Sequence, residues 1–137
     1  MKKFLGVVIA AVMLAGGLVT FAMSPASAAC PYSGCVPTYT FIDNPNKVKR
    51  GQKAKICVRV GSDGNGRPVG SVSIRVVRST GGFRYLDNKK YNDWKECFTT
   101  PKLKKRGKYV IRARFDRNPN SRWQDSGTVS NFRVVRR

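Results

Sequence analysis

Between Lys53 and Phe115 apolar and polar residues alternate with a period of two, in four runs separated by turn-forming residues. The runs are Lys53–Val60, Gly70–Val77, Trp94–Thr100 and Lys108–Phe115. Such alternation is the mark of strands buried on one face. Ala54, Ile56, Val58 and Val60 fall on one side of the first run, against Lys53, Lys55, Cys57 and Arg59. Tyr109, Ile111, Ala113 and Phe115 repeat the pattern against Arg112 and Arg114. Val72, Ile74 and Val76 are expected to point inward from the second run. In the third, Trp94, Glu96 and Phe98 share a face and leave Lys95, Cys97 and Thr99 on the other, which places Trp94 in the expected core.

Shorter apolar stretches complete the set. Thr38–Ile42 reads as a first strand, broken by Asp43-Asn44-Pro45-Asn46 because proline cannot donate to a ladder. Lys47–Gln52 reads as a short edge segment and turn, whose lysines discourage edge-to-edge aggregation. Phe83–Leu86 is expected as a strand, followed by a polar connection Asp87–Asp93 with a short edge strand at Lys89–Tyr91. Leu103 is expected to plug one end of the core, and Thr128–Val135 to form the last strand with Phe132 and Val134 inward. No helical period and no repeat appears beyond the leader described next. Seven to eight short strands imply an all-β protein, a two-sheet antiparallel β-sandwich.

Residues 1–28 do not fit this pattern. Lys2 and Lys3 precede an apolar run from Phe4 to Phe21, and Ser24-Pro25-Ala26-Ser27-Ala28 ends in an Ala-x-Ala cleavage signal. This is the anatomy of a secretory signal peptide, cut after Ala28 or Ala29. A retained membrane anchor is the competing reading of the run's length, which just suffices to span a bilayer. Ser27-Ala28-Ala29-Cys30 also loosely resembles a lipobox, lacking its usual leucine. The expectation is a secreted or cell-surface protein without a stable transmembrane anchor. Residues 29–43 would then carry a Cys30–Cys35 loop and the first strand, joined to a sandwich over 44–137 as one domain.

Cysteine use agrees with export. Cys30, Cys35, Cys57 and Cys97 form an even set in a small secreted chain, where a disulfide framework is the rule. Of the three possible pairings, strand parity favours Cys30 with Cys35 and Cys57 with Cys97. Cys57 and Cys97 both point away from the apolar face, so adjacent strands would place them side by side. A zinc site is disfavoured, because the sequence has no histidine to complete a ligand set. The loop Gly61–Pro68 carries Asp63 and Asn65 but has Arg67 where a further calcium ligand would fall, so it reads as a turn. Neither metal nor cofactor is expected.

Charge changes the picture most. Lysine and arginine number 27 against 7 aspartate and glutamate, a net charge of +20. Without Lys2 and Lys3 the balance is 25 against 7, or +18 on about 109 residues. A field of this strength attracts polyanions. Lys53, Lys55, Arg59, Arg112, Arg114 and Arg133 occupy outward strand positions, while Lys102, Lys104, Lys105, Arg106 and Lys108 crowd one loop and the strand after it. Expected partners are anionic polymers such as teichoic acid, acidic polysaccharide or nonspecifically bound nucleic acid, held with steep salt dependence. The competing view is that the charge serves only solubility.

Catalysis is not expected. No histidine is available for acid–base work near neutrality, and paired cysteines leave no thiol. The carboxylates Asp43, Asp63, Asp87, Asp93, Glu96, Asp116 and Asp125 scatter over turns and strand ends. The loop Asp116–Asp125 holds Arg122 and Trp123. Trp123 would stack on a sugar or base, anchor a protein partner in an adhesin-like or inhibitor-like module, or pack over the open end of the sandwich.

Four segments, Val48-Lys-Arg-Gly51, Arg67-Pro-Val-Gly-Ser-Val-Ser-Ile74, Phe98-Thr-Thr-Pro-Lys-Leu103 and Gly107-Lys-Tyr-Val-Ile-Arg-Ala-Arg-Phe115, together with a closing strand over Ser126–Val135, resemble the bacterial Ig-like domains of secreted and surface proteins. The resemblance covers Asn44–Val135. It implies a sandwich with adhesive or spacer roles and carries no catalytic residue. It also implies that Tyr109 is a structural tyrosine at the start of a late strand, and that the strands bearing Cys57 and Cys97 are sheet neighbours. Two departures stand out. Such domains are usually repeated and near neutral or acidic, and the cysteine pair differs from the inter-sheet disulfide of antibody domains.

Overall fold

The computed structural model describes residues 34–136. The expected leader, Cys30 and Arg137 lie outside the described residues. Eight strands follow in order: β1 Thr38–Asp43, β2 Lys47–Lys49, β3 Lys55–Ser62, β4 Gly70–Arg78, β5 Arg84–Tyr91, β6 Glu96–Thr99, β7 Gly107–Arg117 and β8 Ser126–Val135. They form a three-stranded sheet, β1-β3-β6, facing a five-stranded sheet, β2-β8-β7-β4-β5. All pairs are antiparallel except β2 with β8. This is a two-sheet β-sandwich consistent with an Ig-like fold. Among the described residues no helix is long and apolar enough to cross a membrane.

Side-chain alternation builds the core. Ile56, Val58, Val72, Ile74, Val76, Phe98, Ile111, Phe115, Phe132 and Val134 project between the sheets and are buried. β-branched and aromatic residues suit this pleated, half-buried geometry. Aromatic rings pack side by side on the inner face of the five-stranded sheet: Tyr109 stacks on Phe132 at 5.3 Å, and Tyr91 meets Phe115 edge-on at 5.9 Å. Leu103 is fully buried at one end, as its position after the β6 run suggests.

Cys57 and Cys97 are directly opposed in the β3–β6 register and are disulfide-bonded, with Cα atoms 4.0 Å apart. The bridge lies within one sheet, on its outer side, as parity requires. It closes a loop of 40 residues, for which loop entropy suggests about 3–4 kcal/mol. Cys35 is also disulfide-bonded.

The structure corrects three expectations. Phe83–Leu86 and Lys89–Tyr91 are not separate strands: β5 runs unbroken from Arg84 to Tyr91, because all eight residues pair with β4. Its inward residues Asp87 and Lys89 overhang the narrower sheet, which is why polar residues are tolerated there. Lys89 reaches across to donate to the Cys97 carbonyl at 2.6 Å. Trp94 is not in the core but 67% exposed, because β6 begins only at Glu96 and the indole lies in the turn before it. The expected start of β3 at Lys53 also moves to Lys55, though Ala54 stays buried.

The register defines two ends. The turns around 50–52, 79–82 and 101–106 gather at one, and the loops 61–69, 92–95 and 118–125 at the other.

Candidate functional site: a basic end and the sheet face beside it

Each outward position on the five-stranded sheet follows from an inward neighbour. Tyr109 turns in, so Lys108 turns out; Phe132 and Val134 turn in, so Arg133 turns out; Val48 turns in, so Lys47 and Lys49 turn out. The register then aligns residues from three strands. Arg133 on β8 stands opposite Lys47 on β2 and opposite Lys108 on β7. With strands about 4.8 Å apart, three cations fit within about 10 Å in one lateral row. Further along the face, Arg112 on β7 stands opposite Arg75 on β4. Like charges directly opposed across strands destabilise a sheet. Among the described residues none of these five cations lies within salt-bridge distance of a carboxylate, whereas neighbouring Arg114 meets Asp116 at 2.6 Å.

The lateral row borders the basic end. Lys104, Lys105 and Arg106 are exposed in the β6–β7 connection. Their backbone is fastened by other cations: Arg50 donates to the Lys104 carbonyl and Arg78 to the Arg106 carbonyl, each at 2.9 Å. The Tyr109 hydroxyl donates to the Lys105 carbonyl at 2.8 Å. A tyrosine at the start of a late strand bonding the backbone a few residues upstream is the tyrosine corner of Ig-like sandwiches. Burial raises the Tyr109 phenol above its usual range, and Arg78 nearby partly opposes this. Arg50, Lys104 and Arg136 line one shallow hollow here, and Arg78, Lys105 and Arg106 border the next.

Eleven cations were expected to bind polyanions, and all are exposed. Lys104, Lys105, Arg106, Lys108 and Arg133 come together at this end. Arg112 and Arg114 share the face but lie further along it. Lys55 and Arg59 belong to the other sheet, Lys53 lies just before its strand β3, and Lys102 precedes the buried Leu103 between the two layers. Sequence reasoning missed Lys47, Arg50, Arg75, Arg78 and Arg136. Parity already turned Lys47 and Arg75 outward, but only the register shows what they face.

Of the readings for Trp123, the structure shows packing: it is 5% exposed and belongs to the core cluster at the opposite end. Val36 bridges beside it, its N–H donating to the Arg122 carbonyl at 2.7 Å and its carbonyl accepting from Gln124 at 3.0 Å. The Arg122 guanidinium lies 4.6 Å from the indole centroid and donates to the Asn65 carbonyl at 2.6 Å. Trp123 therefore offers no open face to a partner, because the loop that bears it is strapped down on both sides. Gly66, in the left-handed region at φ 132°, passes so close that a Cβ there would lie 2.6 Å from the Arg122 guanidinium. In the same loop the Asp63 carboxylate accepts from the Tyr39 hydroxyl at 2.6 Å. Among the described residues no group of three or more histidine, cysteine, aspartate or glutamate side chains is placed to hold a metal.

No family model matches the chain, and no curated protein sequence matches it. Among solved structures it is similar to a superoxide reductase (neelaredoxin) from Ignicoccus hospitalis, with TM-score 0.51 and 20% identity over 71% of this chain and 80% of that one. It is also similar to the CARDB domain of the PF1109 protein from Pyrococcus furiosus, solved with di-metal ions, with TM-score 0.42 and 18% identity over 77% of this chain and 99% of that one. At 20% identity the likeness to the first concerns the β-sandwich fold alone.

Proposed function

We propose that the protein is a secreted, non-enzymatic, basic variant of the bacterial Ig-like domain that binds anionic polymers of the cell envelope or its surroundings. The binding surface is the basic end together with the row Lys47–Arg133–Lys108. The observation that carries this reading is the direct opposition of like charges in that row. Such an arrangement costs folding stability, and a bound polyanion turns the same repulsion into attraction by releasing its own counterions. A charge kept only for solubility has no need of such alignment.

The test is binding of the oxidised protein to teichoic acid, heparin and duplex DNA across a salt series. Strong binding to one polymer that persists near physiological salt is expected, weakened when Lys104, Lys105 and Arg106 are changed to alanine. Equal, rapidly screened binding to all three polymers would overturn the reading and leave the charge generic.

A further inference from the structure

The opposite end holds a second surface that the basic row does not use. A hollow of about 360 Å³ is lined in part by Phe41, Arg59, Gly61, Arg67, Asp93 and Trp94, within the range of small-ligand pockets. Phe41 is 52% and Trp94 67% exposed. Single exposed apolar side chains are ordinary, but a patch of them marks an interaction site, and these two rings line the same hollow.

These rings sit on a fixed frame. The Asp93 carboxylate accepts the Trp94 backbone N–H at 2.7 Å. The Tyr91 hydroxyl donates to the Trp94 carbonyl at 3.0 Å while accepting the Val60 N–H at 2.9 Å. Tyr91 is itself buried between the sheets, so the turn presenting the indole is anchored to the core. Phe41 stands opposite Arg59 in the β1–β3 register. Its ring lies along bare backbone, for a Cβ on Gly61 would come within 3.4 Å of it. The Arg67 guanidinium lies 5.7 Å from the Trp94 ring centroid.

We propose that this hollow binds one acidic sugar residue, a carboxylated pyranose, of an anionic polysaccharide. The inference rests on the polymer class proposed above but uses different residues at the other end of the molecule. A pyranose offers a flat C–H face, which suits the Trp94 and Phe41 rings. Its carboxylate suits the planar forks of Arg59 and Arg67. Its hydroxyls suit the remaining acceptor capacity of Asp93. A nucleic-acid strand fits less well. It needs a basic track along its backbone, and here two guanidinium groups are accompanied by the carboxylates of Asp93 and, beside the hollow, Asp63.

The experiment titrates the full oxidised chain with a short oligoglucuronate, a neutral glucan oligosaccharide of equal length and a single-stranded DNA oligomer, following tryptophan fluorescence. Because Trp123 is buried and Trp94 exposed, a blue shift on binding reports Trp94. Oligoglucuronate is expected to give that shift and to bind more tightly than the glucan. Trp94→Ala, which lacks the reporting indole and is therefore followed by titration calorimetry, is expected to weaken binding at least about tenfold, and Arg59→Gln with Arg67→Gln to remove the preference for the acidic sugar. In a Lys47→Gln, Lys108→Gln, Arg133→Gln variant the overall affinity for oligoglucuronate is expected to fall with loss of the cationic row, but the Trp94 blue shift at saturation is expected to persist, so failure of the basic end and failure of this hollow give different results. Equal binding of glucan and oligoglucuronate, a larger shift with DNA, or unchanged binding by Trp94→Ala would each overturn the proposal.

Discussion

At one end of the sandwich the loops are crowded with cations and held by their backbones; at the other they are strapped over a buried indole and display a second one. At the basic end the side chains of Lys104, Lys105 and Arg106 stay free in solvent, while Tyr109, Arg50 and Arg78 grip the carbonyls of this loop. At the aromatic end Trp123 is consumed by packing, and Val36, Arg122 and Asn65 close over it. Trp94, only a turn away from the sheet, is left outside. The contrast separates two uses of one residue type. An indole that reaches the gap between the layers supplies stability, and one stranded in the turn before a short strand is available for contact.

The largest effect expected from breaking this contrast is at Trp123. Trp123→Ala removes a buried indole and slackens the loop, at a cost of about 3–5 kcal/mol, readable as a lower denaturant midpoint. Trp94→Ala, by contrast, is expected within about 0.5 kcal/mol of the parent. If the two substitutions cost the same, the distinction between the tryptophans fails.

A smaller loss is expected at the other end. Tyr109→Phe keeps the stacked ring but removes the bond to the Lys105 carbonyl, at about 0.5–1.5 kcal/mol. Chemical denaturation measures it, and faster amide exchange in residues 104–107 would locate it.

Alkaline pH probes the tyrosines of both ends at once. Burial, then the hydrogen bond and charge of Asp87, push Tyr85 up to about 12. Burial is also the main cause raising Tyr91, with Asp93 and Glu96 adding to it and the Val60 N–H and Arg59 opposing. These phenols stay protonated in the folded protein where the unfolded chain ionises near pH 10. The folded state then binds more protons, so the stability they contribute is intact below about pH 10 and is lost as pH rises toward the folded values. Denaturation midpoints should fall between about pH 10 and 12, in step with tyrosinate absorbance. Tyr85→Phe should flatten part of that fall.

The smallest effect concerns the cationic row. Replacing Lys47, Lys108 and Arg133 with glutamine relieves opposed like charges, so stability at low salt should rise by a few tenths of a kcal/mol, of the order of single cross-strand pairs. The same variant should lose polyanion affinity at low salt, with a log–log salt slope shallower by about one unit per phosphate contact removed. Unchanged stability with unchanged binding would dissolve the contrast between a basic end that binds and one that is merely solvated.

Much of the fold was legible because alternation is local. The inward faces of β3, β4, β7 and β8 follow from residues two apart, and so does the outward pointing of Cys57 and Cys97. Local pattern failed where a run met its own end. Trp94 shares parity with Phe98, but parity says nothing about where pairing begins, and β6 starts two residues later. It failed again at β5, where Asp87 and Asn88 read as a break between two short strands because an overhanging edge strand faces inward without being fully covered. The cations were visible singly; their grouping was not.

By itself, then, the sequence determined the all-β class, the faces of the principal strands, the disulfide between Cys57 and Cys97 and the excess of positive charge, since each depends on composition or on period two. Tertiary structure alone decided that Lys47, Lys108 and Arg133 stand in one row, that Trp123 is buried and that Trp94 shares a hollow with Phe41 and Arg59. Those relations join residues far apart in the chain, and strand register, which no local pattern encodes across such distances, is what brings them together.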